Sequence, residues 1–171
     1  MNTPRAAKGM KTAAALPGAV ALVVALGFGG DVTASASPVG ARFGNEQQFV
    51  DTDASVAGYN VMDLKPSGSN VLSVPLTGNV PVTGQLWYAP IAVTAVRGSV
   101  IPEMQSFNAR TPDGRNYRML DQTLAPDLGV SPMDEGQRTA GNIYFDVTGP
   151  PPTAVVYTDG AQDRLTWSAE Q

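Results

Sequence analysis

The chain of 171 residues contains 18 glycines and 14 prolines, 11 basic against 15 acidic residues, and neither cysteine nor histidine. About one residue in five therefore breaks regular helix, against a typical combined usage of ~12%, which argues against a helical protein. The missing residue types remove thiol nucleophiles, disulfides, imidazole bases, His-based triads and the usual nitrogen–sulfur zinc sites.

Residues 1–11 hold Arg5, Lys8 and Lys11 and no acid, and residues 12–28 are apolar apart from Thr12. A basic head followed by such a run is the pattern of a secretory signal peptide. The polar stretch beyond it ends in Ala34-Ser35-Ala36, small residues that fit a signal-peptidase pocket. Cleavage is expected after Ala36, with Ser37 as the new terminus. An uncleaved anchor is the competing reading, but this run contains Pro17 and Gly18 and is shorter than the ~20 residues that cross a bilayer. No cysteine follows for lipid attachment, and Arg5 has no arginine neighbour for a twin-arginine signal.

Residues 37–171 are then expected to form one domain, large enough to bury about two thirds of its unfolded surface. Without residues 1–36 the formal charge moves from −4 to −6, which disfavours nucleic acid and anionic membranes as partners. Export without cysteine suits a bacterial protein whose core folds without covalent staples.

From Ser37 onward apolar residues alternate in short runs, and no stretch sustains a helical stripe. Weak strands are expected at 46–51, 55–64 and 71–75, and 65–70 is read as an ordinary connection. The clearest run is 85–97, with Trp87, Ala89, Ile91, Val93 and Ala95 on one face. Pro90 cannot donate to a ladder, so a bulge, an edge or a switch between sheets is expected there. Strands at 103–109 and 115–120 flank the turn Thr111-Pro112-Asp113-Gly114 and should pair antiparallel. Residues 121–137 read as a long surface loop, in which Ser131 to Gly136 can hold one helical turn. A second clear strand spans 138–147, Gly149 to Pro152 make a stiff corner, and 153–158 and 163–168 form a hairpin around Asp159-Gly160. Strands at this spacing with Gly/Pro corners imply a β-sandwich.

Several of these segments carry a resemblance: Arg97-Gly98-Ser99-Val100 with Pro102, Phe107-Asn108-Ala109-Arg110, Asp113-Gly114, Asn116-Tyr117-Arg118, Gly141 to Thr153, and Asp159-Gly160 with Asp163, Leu165 and Trp167. With the export signal, they resemble the small secreted immunogenic antigens of mycobacteria, also called immunoprotective extracellular proteins. The likeness runs from about Phe49 to Trp167. It implies an all-β, immunoglobulin-like antiparallel sandwich without the inter-sheet disulfide, exported and antigenic, and it supplies no catalytic residues. By analogy with the buried tryptophan of such sandwiches, Trp87 is the expected anchor of the inter-sheet layer.

Site chemistry offers less. Asp51 with Asp53, and Asp159 with Asp163, place oxygens in turns, but neither has the spacing of a calcium loop. Asp134 and Glu135 are neighbours in a loop rather than a dyad across a groove. Lys65, the one lysine after Ser37, lies beside Pro66 and is poorly placed to activate a serine. Arg110, Arg115 and Arg118 gather around the 111–114 turn and form a candidate patch for an anion or a partner. Tyr88, Tyr144 and Tyr157 are alternative contact residues.

No catalytic residue, cofactor or metal site is expected. The leading reading is a secreted, extracellular interaction module for a host or cell-envelope protein, in solution or at the cell wall. The alternative is an extracellular carrier of a small apolar or glycan ligand.

Overall fold

A computed structural model describes residues 39–74, 78–120, 128 and 131–169. The expected signal peptide with its Ala36–Ser37 cleavage site lies outside the described residues, as do 121–127 and 129–130 of the expected loop.

The alternating runs fold into two packed sheets, with strands numbered in chain order. One sheet orders β1 (Val39–Arg42), β12 (Asp163–Ser168), β11 (Ala154–Thr158), β8 (Phe107–Arg110) and β9 (Asn116–Arg118). The other orders β10 (Arg138–Val147), β7 (Gln85–Arg97), β3 (Val56–Val61) and β2 (Glu46–Val50). The two-residue β4 (Lys65–Pro66) also pairs with β7, and β5 (Val71–Val74) pairs with β6 (Gly78–Pro81) in a separate hairpin. The fold is the immunoglobulin-like sandwich expected, and it is built without cysteine.

One pairing departs from the antiparallel rule: β1 runs parallel to β12, with Val39 opposite Leu165 and Arg42 opposite Ser168. The chain then crosses to the other sheet through Gly44, whose φ of 86° suits glycine and whose N–H donates to the Val61 carbonyl at 2.8 Å. A strand that leaves its sheet in this way needs no hairpin partner, so its direction is free.

Pro90 breaks nothing. Its carbonyl accepts the Met62 N–H at 2.9 Å, in the interval where β3 ends and before β4 pairs with Tyr88 and Trp87. The missing N–H thus faces a gap in the ladder. The register shift on this strand falls instead opposite Val56 and Ala57. The turn at 111–114 forms as expected, with Gly114 at φ 87° and β8 antiparallel to β9.

Three local expectations are corrected. Met104–Ser106 is a short 3-10 turn before β8 rather than strand. Residues 131–136 hold no helical turn, because Met133 exchanges backbone hydrogen bonds with Val100 at 2.8 and 2.9 Å. The anchor of the core is Trp167, fully buried, and not Trp87. Trp87 shares a face with Ala89, Ile91 and Val93, but it lies near the start of β7 beside Pro66. There it packs against the margin of the core and turns its indole N–H to Gln85 at 3.1 Å.

The inter-sheet layer is aromatic at its centre. Phe107 stands 5.1 Å from Tyr157, 5.4 Å from Tyr59 and 6.1 Å from Trp167, ring to ring. Offset and edge contacts of this kind add to the burial of large rings. Both flanks are stitched. Leu120 N–H reaches the Tyr144 carbonyl at 2.9 Å on one side, and Gln47 Nε2 donates to the Thr166 carbonyl at 2.9 Å on the other.

Candidate interaction surfaces

With the layer between the sheets filled, the outer faces carry what chemistry is available. Alternation in the β8–β9 hairpin places Asn108 and Arg110 on the same side as Asn116 and Arg118, with Arg110 opposite Asn116 and Asn108 opposite Arg118. That side lines a groove of about 540 Å³ that continues to Thr158 and the 160–163 turn.

Arg110 organises the groove. Its Nη2 donates to Asp163 Oδ1 at 2.8 Å and its Nη1 to Oδ2, while Nε donates to Asn116 Oδ1 at 2.7 Å. This two-pronged pairing fixes the guanidinium. Asn108 Nδ2 donates to the Ser106 carbonyl at 3.4 Å.

Of the three arginines singled out by sequence, the fold brings Arg110 and Arg118 into the groove and sends Arg115 elsewhere. Arg115 lies in the turn between the strands, its guanidinium over Gly149, where an added Cβ would stand 2.6 Å from Nη1. Gln105 and Gln162 also line the groove. Neither is recognisable from the sequence, because each comes from a separate turn that only the pairing of β8 with β11 brings close.

The three tyrosines divide as well. Tyr157 is a core residue whose hydroxyl donates to Glu103 Oε2 at 3.3 Å, and burial raises its pKa. Tyr59, packed against it at 5.1 Å, is raised by burial too. Tyr88 and Tyr144, directly opposite one another on β7 and β10, are half-buried on the outer face of the second sheet, with ring centroids 6.2 Å apart. Lys65 Nζ sits 5.5 Å from the Tyr88 ring, held also by Asp63 at 3.1 Å. Exposed Met62 and Val96 lie on the same sheet.

The acidic turns are occupied by their own backbone. Asp159 accepts the Gln162 and Ala161 N–H groups at 2.8 and 3.0 Å and pairs with Arg164, and these bonds lower its pKa. Asp53 likewise accepts the Ser55 N–H at 2.8 Å and is lowered by it. Glu135 accepts the Gly98 N–H at 3.1 Å. Among the described residues no three acids converge on a point that could hold a metal ion.

Comparison with known proteins places this geometry. The family model described as Domain of unknown function (DUF1942) matches residues 38–167. The chain belongs to this family. Immunogenic protein MPT63 of Mycobacterium tuberculosis is 41% identical to it over 160 residues, 92% of this chain and 95% of that protein. Immunogenic protein MPB63 of Mycobacterium bovis matches to the same extent. The crystal structure of a secreted protein from M. tuberculosis, MPT63, superposes with a TM-score of 0.68 at 43% identity, covering 78% of this chain and 99% of that one. The resemblance to secreted mycobacterial antigens is thereby confirmed, and with it an extracellular location. No helix among the described residues is long and apolar enough to cross a membrane.

Proposed function

We propose that this family member is a non-catalytic interaction module that engages a host or cell-envelope protein through the outer face of the β10-β7-β3-β2 sheet. The observation that carries the reading is the Tyr88–Tyr144 pair, two half-buried rings on a face that also exposes Met62 and Val96. Tyrosine presents a large, rigid, amphipathic surface that gains most from being covered by a partner. An apolar carrier is less well supported, since the interior is filled by aromatic side chains and the groove is lined by polar ones.

The test is capture of proteins from host-cell and envelope extracts by residues 37–171, wild type beside a Tyr88→Ser/Tyr144→Ser double variant. A specific partner held by the wild type and weakened at least ~10-fold by the double variant is the expected result. Equal capture by both forms, or recovery of a small molecule in place of any protein, overturns it.

A further inference from the structure

The groove on the opposite face has a donor and acceptor pattern of its own. We propose that it is a binding site for a sugar acid, with the carboxylate on Arg118 and the hydroxyls on the flanking amides. This inference concerns the other sheet and does not depend on the protein partner proposed above.

Three observations lead to it. The first is charge. The Arg110–Asp163 pair is internally neutral, which leaves Arg118 as the groove's cation without an ion pair among the described residues, in a protein whose formal charge is −4. No ion pair holds Arg118 among the described residues, and it is exposed. One guanidinium matches one carboxylate in a two-pronged contact, whereas a phosphate monoester brings close to two charges.

The second is the fixed orientation of the amides. Asn116 has its carbonyl oxygen committed to Arg110 Nε, so its NH₂ group is left to donate. Asn108 has its NH₂ turned to the Ser106 carbonyl, so its Oδ1 is left to accept. Donors and acceptors set side by side suit hydroxyl groups, which are both at once. A simple inorganic anion would use Arg118 and leave the acceptors idle.

The third is size and lining. A volume of about 540 Å³ falls within the ~300–1,000 Å³ of small-molecule sites. Gln105, Gln162 and Thr158 extend the polar wall, and the lining offers no aromatic or large aliphatic pocket for a peptide anchor.

The probe is D-glucuronate, titrated into isotope-labelled residues 37–171 while the side-chain NH₂ signals of Asn108, Asn116 and Gln162 are followed by NMR. Saturable shifts of these signals are expected at millimolar concentration, with glucose and acetate each at least about tenfold weaker. Arg118→Gln should weaken glucuronate about tenfold while leaving the urea midpoint in place, because its side chain is exposed. Absence of shifts up to ~50 mM glucuronate, an equal response to acetate alone, or undiminished binding by Arg118→Gln overturns the proposal. The Tyr88→Ser/Tyr144→Ser variant should bind glucuronate as the wild type does; parallel loss would mean that the two faces are not separate sites.

Discussion

The indole N–H of Trp167 donates to the backbone carbonyl of Asn45 at 2.9 Å, joining the last strand of one sheet to the segment where the chain enters the other. The ring itself is fully buried against Phe107. Trp167→Ala should therefore cost roughly 3–5 kcal/mol, and Trp87→Ala distinctly less, because Trp87 is only half-buried. Urea unfolding of both variants checks the order. A larger loss at Trp87 would mean that the margin, not the aromatic centre, holds the sheets together.

Gly84 lies hard against neighbouring backbone. A Cβ there would stand 2.1 Å from the Val147 carbonyl oxygen, in a turn whose N–H groups at Thr83 and Gly84 are held by Asp146 at 2.9 and 2.8 Å. Gly84→Ala is expected to destabilise by about 1–3 kcal/mol or more, since backbone rather than a flexible side chain must move. Gly68→Ala is the control: it meets no atom within 4 Å and carries only the strain of φ 74°. Thermal melts of the two proteins make the comparison.

The Arg110–Asp163 pair is part-buried, each side chain 25% exposed, and two-pronged. An interaction of this geometry exceeds an ordinary surface ion pair, and a double-mutant cycle with Arg110→Ala and Asp163→Ala should return a coupling of about 1–2 kcal/mol. The Lys65–Asp63 pair, about half exposed on both sides, should return a distinctly smaller coupling, because solvent screens it.

Alkali should unfold the protein through its buried tyrosines. In the unfolded chain Tyr59 and Tyr157 titrate near 10.0, and burial raises both in the folded state. Above that pH the unfolded chain loses protons that the folded chain keeps. Stability is thus present below pH 10.0 and falls as pH rises beyond it, by at most about 1.4 kcal/mol per pH unit for each hydroxyl. Tyr157→Phe should flatten the slope by one group, as read from urea midpoints between pH 9 and 11. An unchanged slope would assign the alkaline transition to other residues.

The long strands were legible because both carry alternation over ten or more residues: β7 and β10 keep the limits expected for 85–97 and 138–147. β1, β4 and β6 were not, since Val39–Arg42, Lys65–Pro66 and Gly78–Pro81 are too short to show a period. Their conformation is set by the backbone they lie against. The misplaced anchor has a similar cause. Trp87 and Trp167 both occupy inward positions of alternating runs, and what separates them is distance from the middle of the sandwich, which no local pattern encodes. The arginine cluster was half legible: period two put Arg110 and Arg118 on one side, while the turn carried Arg115 out of it.

The pairing of β1 with β12 has a temporal side. Val39 and Leu165, opposite one another in it, belong to segments more than a hundred positions apart, and the Trp167–Asn45 bond just beyond spans 122. A chain delivered from its N-terminus presents β1 long before β12, the strand it pairs with among the described residues. Until that final hairpin arrives, the sheet bearing the groove lacks its inner neighbours and the central tryptophan is absent. Completion of the sandwich therefore waits for the β11–β12 hairpin, however early the other strands have paired.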